Sequence, residues 1–373
     1  MRPIETFALE RYFARYEFTA RHLLSSSDCE SLPMASLLAL ADDGSRRRWE
    51  NLKLGYTDSQ GDPALRTAVA AIYSGWQPED VLIAAPEEAI FLLMQTLLRP
   101  DDHVVCTFPG YQSLYAVARA LGCRVSFWTP EENRDWRFDI GQLERLLQGD
   151  TRLVVANFPH NPTGYLPPRE DFEAMIDLLR EHDIHLLSDE MYRFLEADET
   201  ATLPAACTLY ARAVSLGGLS KAFGLPGLRI GWTATRDRAL HAGMARFKDY
   251  TTICSSAPSE ILATIALHNR EAIIAEQRAR LRRNMAVLAQ FFQTFANDFQ
   301  GRCPPAGSLC FPRMTAVEDT FSFCEELVRD TAIMLVPSKM FAYGHQHVRI
   351  GFGREDFPEV LKRFGDYLIQ RFG

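Results

Sequence analysis

The sequence predicts an α/β protein: a large, mostly parallel sheet covered by helices, with a smaller α/β domain beside it. Three observations lead there. Short apolar strand-like runs alternate with helix-like runs between residues 80 and 235. The 373-residue length accommodates one large domain and a smaller one. A composition that is 47% hydrophobic and 24% charged supports a sizeable core.

Taken in order, Asp80–Ala84 reads as a strand running into a turn and Ala89–Leu98 as a helix. His103–Thr107 is a short apolar strand, Ser113–Leu121 a helix and Arg124–Trp128 a strand. Leu153–Asn157 is a strand, Arg169–Glu181 a helix and Ile184–Ser188 a strand. Ala213–Leu216 and Ile230–Thr233 read as two more strands. Pro258–Phe295 reads as one long helical stretch leaving this domain, with further strands near Gly307–Phe311 and His347–Gly351. The expected division is 46–274 for the large domain and 1–45 plus 275–373 for the small one. In parallel sheets of this kind ligands gather at the carboxyl ends of strands.

The net charge of −8 argues against nucleic-acid binding, and Arg46-Arg47-Arg48 reads as a solvated loop. No apolar run reaches membrane-spanning length, and no apolar signal core follows the N-terminus. The eight cysteines are scattered without a Cys-x-x-Cys pair, so they read as reduced thiols of a cytoplasmic protein without zinc.

The chemistry-bearing run is Ser215-Leu-Gly-Gly-Leu-Ser-Lys-Ala-Phe-Gly-Leu-Pro-Gly-Leu-Arg-Ile-Gly-Trp232. Lys221 stands among small residues between two apolar stretches, where a desolvated amine can attack a carbonyl. Arg229 follows eight positions on as a phosphate clamp. Together they point to pyridoxal 5'-phosphate (PLP), which supplies an electron sink no side chain provides.

This run resembles the lysine signature of the class I/II aminotransferases, PLP enzymes of fold type I. Three further matches follow the family's order: Asn161-Pro-Thr-Gly164; Asp189 and Tyr192 in Leu-Leu-Ser-Asp-Glu-Met-Tyr; and Arg349 in His-Val-Arg-Ile-Gly-Phe. The similarity runs from about residue 50 to the C-terminus.

The resemblance implies a role for each. Lys221 forms the Schiff base and moves the Cα proton. Asp189 pairs with the ring nitrogen. Asn161 and Tyr192 donate to the ring's 3' oxygen, and Tyr111 stacks on the ring. Ser220 and Arg229 bind the phosphate. Arg349 grips the substrate carboxylate bidentately. Tyr56 resembles a tyrosine that reaches the neighbouring subunit's phosphate, which implies a homodimer. Taken alone, an aspartate ending a strand is as readily a cap, and an aromatic near a strand end is commonly core.

Two stretches depart from the family. Where relatives carry a glycine- or serine-rich turn, this chain reads Ala84-Ala85-Pro86-Glu87-Glu88. Pro86 has no N–H to give, while Glu87 keeps its own if its carboxylate points away; Gly218 stands where many relatives carry a second hydroxyl. The N-terminal turn Ser25-Ser-Ser-Asp-Cys-Glu30 replaces the usual Gly-x-Pro element. It is similar to the polar turn of amino-acid-modifying PLP enzymes such as capreomycidine synthase. Ser27 and Glu30 are therefore substrate-binding candidates, with Asp28 and Glu30 facing a cationic side chain. The same stretch also reads as a helix cap at Ser31.

The expected function is transfer of an amino group from an L-amino acid to a 2-oxo acid. The alternative is PLP-dependent elimination, cyclisation or oxidation, which begins with the same loss of the Cα proton. Gly218-Leu-Ser-Lys-Ala222 nearly spells a serine-hydrolase elbow, but its last glycine is alanine and no convincing acid and histidine follow.

Overall fold

The structure is a computed structural model and describes residues 3–372. Its centre is a seven-stranded sheet. The strands are β1 (Val81–Ala84), β2 (His103–Thr107), β3 (Arg124–Trp128), β4 (Thr151–Asn157), β5 (His185–Asp189), β6 (Ala213–Gly218) and β7 (Gly231–Ala234). Their spatial order is β1-β7-β6-β5-β4-β2-β3. All pairings are parallel except those of β7, which runs antiparallel to both β1 and β6.

Strand residues alternate between two cores, as a period of two requires. Val104, Cys106, Leu153 and Val155 pack into one cluster with the helices on their face. Val105, Val154 and Ala156 pack into the other with Phe172, Met175 and Ile176 of the helix Arg169–Glu181. Both faces are thus buried, which is why these strands read as continuous apolar runs.

A smaller sheet follows, built from β8 (Leu309–Cys310), β9 (Val336–Pro337) and β10 (Val348–Gly351), with β10 in the middle and antiparallel to both. His22–Leu23 pairs in parallel with Ile333–Met334, bringing the N-terminal segment to this sheet.

Three expectations are corrected. The single helix over Pro258–Phe295 is two, Ala257–His268 and Arg270–Thr294. Asn269 leaves helical geometry (φ −108, ψ 20), and its side-chain N–H group donates to Ile265 O and Leu40 O, ending one helix and anchoring the break. Asp80 belongs to a 3-10 turn rather than to a strand; its carboxylate accepts from Gln77 N and pairs with Arg238. Arg46, Arg47 and Arg48 lie in a helix, Asp43–Glu50, capped by Asp42, not in a loop.

One element gave no warning in the sequence. Helix α1 (Ala8–Tyr16) bridges the two sheets' surroundings. Ala8 N donates to Gln112 Oε1 at 2.9 Å near the large sheet, and Tyr12 Oη donates to Leu335 O at 2.9 Å near the small one.

Candidate active site

β4, β5 and β6 are adjacent and parallel, and each hands over a candidate residue where it ends. Asn157 and Asp189 are register partners at the ends of β4 and β5, and Asp189 faces Leu216 of β6. Asn157 Nδ2 donates to Asp189 O at 3.0 Å, and Asn157 Oδ1 accepts from Asn161 N at 2.8 Å. One buried amide therefore ties the Asn161 loop to the Asp189 strand. The Asn161–Pro162 bond is cis.

Lys221 follows β6 in a tight loop closed by Gly224 N donating to Lys221 O. Gly224 has φ +63, and a Cβ there would lie 2.2 Å from Glu30 O. Only glycine allows the N-terminal segment to pass this closely. That passage places Ser27, whose Oγ accepts from Lys221 Nζ at 2.8 Å. The ammonium also stands 5.8 Å from the Tyr192 ring centre.

Asp189 is buried, and burial pushes its carboxyl up to about 7, against a donated hydrogen bond from Met191 N. The Tyr192 hydroxyl is buried without a partner. Arg349, in the middle strand of the small sheet, is 1% exposed. Its Nη2 donates to Ser25 O at 2.9 Å, its Nη1 approaches Asn161 Oδ1 at 3.4 Å, and its Nε has no partner. Burial lowers its pKa, and the fields of Tyr192, Asp28, Tyr111 and Glu10 work against that. Tyr111 packs on Phe7, with ring centres 5.0 Å apart, and donates to Glu10 Oε1 at 3.3 Å. Burial, with the carboxylates of Glu87 and Glu10, pushes the Tyr111 hydroxyl well above the usual phenol range.

At the phosphate end, Pro86 opens the helix Pro86–Leu97, whose N-cap Ala85 gives no side-chain cap. The first-turn N–H groups of Glu87 and Glu88 are therefore free for an anion. Pro86 also explains Gly218: a Cβ at Gly218 would lie 2.9 Å from Met191 Cε and 3.2 Å from Pro86 Cγ. The two departures from the family pattern fill one another's space. Ser220 is buried, and Arg229, at φ +55, is exposed with one guanidinium bond to Pro226 O. Glu87 keeps exposed surface, and its carboxyl faces Ser113 and Tyr111. Burial pushes its carboxyl up, and Arg229 pulls it down.

Glu30 is engaged elsewhere. Its carboxylate accepts from Glu355 N at 2.9 Å and lies 3.8 Å from Arg354, which also pairs with Asp28 at 3.0 Å. The expectation that Asp28 and Glu30 face a cationic substrate gives way to this internal pairing. Ser31 caps nothing, since the next helix, Met34–Ala39, has Pro33 as its N-cap. Tyr56 is 90% exposed and lies outside this cleft's own set of contacts. Sequence reasoning missed Glu10 and Glu17 of the α1 region, which reach the cleft only through the fold.

These residues fit PLP on three counts. Asp189 is a buried carboxyl with no cationic hydrogen-bond partner, suited to a ring N–H; Tyr192 offers an unpartnered hydroxyl; and Glu87 and Glu88 N–H with Arg229 suit a phosphate. A family model, aminotransferase class I and II, matches residues 24–364. The chain belongs to that family. Capreomycidine synthase of Streptomyces vinaceus is 32% identical over 355 residues, covering 94% of this chain and 88% of that protein. A PLP-dependent aminotransferase from Streptococcus suis superposes with a TM-score of 0.92 at 28% identity, over 99% of both chains. The PLP-dependent cyclase OrfR superposes at 0.90 and 28% identity, over 100% of this chain and 99% of that one. As a member of the class I and II aminotransferases, this chain is an enzyme whose cofactor is pyridoxal 5'-phosphate. Among the described residues no helix is long and apolar enough to cross a membrane.

Proposed function

We propose that the enzyme moves the amino group of an L-amino acid to a 2-oxo acid, with Lys221 as the proton carrier and Arg349 as the carboxylate clamp. One observation carries the reading. Lys221 Nζ is bonded to Ser27 and Arg349 Nη2 to Ser25, two residues apart on one turn. Two residues of chain span at most about 7 Å, so candidate anchors for an α-amine and an α-carboxylate are held by one short turn. Asn161, bonded to Arg349, sits at the same place.

When bound, the cofactor supplies the sink for the electron pair left by the Cα proton. Lys221 takes that proton from Cα and carries it back. Asp189 would hold the positive charge of the ring nitrogen. Asn161 and Tyr192 would donate to the ring oxygen, and Tyr111 would cover the ring. Ser220, Arg229 and the N–H of Glu87, at the turn that Pro86 shapes, would hold the phosphate. Helix α1 roofs the cleft and excludes water, strengthening each charge interaction. The proposed units are 46–274 for the cofactor-binding part and 1–45 plus 275–373 for the part carrying Arg349. A homodimer is supported by Leu54, Tyr56 and Tyr250, each more than 80% exposed, on segments that Thr57 joins to Ser255 at 3.4 Å.

A second reading, elimination, cyclisation or oxidation, is favoured by the similarity to capreomycidine synthase and to OrfR. The test is single turnover of the holoenzyme with a panel of L-amino acids under argon. Transamination releases one 2-oxo acid per site and stops until a second 2-oxo acid is added. Ammonia release, a cyclised product or a need for oxygen would replace it with the second reading. Lys221→Ala with undiminished turnover would remove both.

A further inference from the structure

Glu10, Phe13 and Glu17 lie at positions i, i+3 and i+7 of α1 and its C-cap, so one stripe of this helix carries all three. The stripe faces the cleft at each point. Glu10 accepts from Tyr111 at 3.3 Å, Phe13 stands 5.7 Å from the Arg349 guanidinium, and Glu17 is half-buried within the fields of Asp28, Glu10, Arg354 and Lys221. The helix's ion pairs use other residues: Arg15 pairs with Glu325, and Glu5, just before it, pairs with Arg119. Among the described residues neither Glu10 nor Glu17 has a cationic partner within ion-pair distance. Burial, then Asp28 and Glu10, push the Glu17 carboxyl up.

Two carboxylates on one stripe of a helix, neither with an ion-pair partner among the described residues, are costly to bury unless something positive joins them. The opposite wall of the cleft points to a ligand independently. Arg349 is 1% exposed with Nε unpartnered, and the Tyr192 hydroxyl is 3% exposed and also unpartnered. With the α-carboxylate on Arg349 and the α-amine at Lys221, the remaining substituent of Cα has the α1 stripe as its roof.

We propose that Glu10 and Glu17 receive the cationic end of the substrate's side chain, an ammonium or guanidinium group, with Phe13 covering its aliphatic stem. The enzyme on this account selects basic amino acids. This rests on the assignment of Lys221 and Arg349 given above. Two carboxylates also discriminate, since a neutral side chain leaves both without an ion-pair partner.

The test is equilibrium titration of the holoenzyme, read as its visible absorbance change, with L-lysine, L-arginine and the neutral isostere L-norleucine. Lysine or arginine is expected to bind at least tenfold tighter than norleucine. Glu17→Gln should shrink that ratio about tenfold, and Glu10→Gln with Glu17→Gln should abolish it. Among the described residues Glu17 makes no side-chain hydrogen bond, so its single variant keeps the fold, checked by an unchanged melting curve. Norleucine binding as tightly as lysine, or a ratio indifferent to Glu17→Gln, overturns this proposal alone. A panel in which no amino acid perturbs the spectrum overturns it together with the assignment of Lys221 and Arg349.

Discussion

Ser27 Oγ accepts a hydrogen bond from Lys221 Nζ at 2.8 Å, across 194 positions of sequence. Ser27 O in turn accepts from Ser308 Oγ, next to β8 of the small sheet. The proposed proton carrier is therefore aimed by a segment that the small sheet holds. Removing the hydroxyl leaves the amine in place but free to turn. Ser27→Ala is expected to lower kcat about fivefold with a smaller change in KM, because one oriented hydrogen bond contributes about 1 kcal/mol. Ser27→Thr should restore most of the loss. Steady-state kinetics with equal kcat in wild type and Ser27→Ala would deny Ser27 this orienting role.

Gly224 is the pivot of the same arrangement. Its φ of +63 alone costs alanine about 1–2 kcal/mol. A Cβ 2.2 Å from the Glu30 carbonyl also forces the N-terminal segment outward. Gly224→Ala should destabilise the protein by on the order of 3 kcal/mol and weaken PLP binding, since the Lys221 loop moves with it. Urea denaturation and PLP titration check both effects. A midpoint shift of zero would mean that the segment yields without strain.

Much of the cofactor cleft was legible because its residues end strands that read as apolar runs. Asn161, Asp189 and Lys221 each follow such a run, and parallel strands bring their ends together. What the sequence hid depended on chain passing far from its own neighbours. Glu30 looked free because its partner Arg354 lies more than three hundred residues away. Helix α1 carries Glu10 and Glu17 to the cleft, yet nothing in its own sequence says which surface it will cross. The break at Asn269 was hidden for a similar reason: its side chain is anchored partly by Leu40 O, 229 positions away.

Glu87 places a carboxyl near the phosphate end. Burial raises its pKa and Arg229 works against that, and in its ionised form the carboxylate would oppose the phosphate. Glu87→Gln keeps the backbone N–H and removes the charge. PLP should bind roughly fivefold tighter, about 1 kcal/mol for a screened like-charge pair. Equilibrium dialysis of the apoenzyme against PLP measures this. Weaker binding instead would show the Glu87 carboxyl acting as a neutral donor to the phosphate.

Asp189 makes the apoenzyme's stability depend on pH in a definite direction. Burial raises its folded pKa from 3.8 to about 7. Between those values the folded chain holds a proton that the unfolded chain has lost, so stability falls as pH rises. The contribution is full below about pH 4 and gone above about pH 7. About three pKa units correspond to on the order of 4 kcal/mol, an upper bound for a group whose surroundings relax. Asp189→Asn has no proton to lose and should flatten the apoenzyme's stability between pH 4 and 7, as measured by urea midpoints. In the holoenzyme the ring cation favours the ionised carboxylate, so the fall should shrink in wild type and PLP should bind far more weakly to Asp189→Asn. A wild-type apoenzyme as pH-indifferent as Asp189→Asn would mean that the carboxyl ionises freely and that its burial is not what readies it for the cofactor.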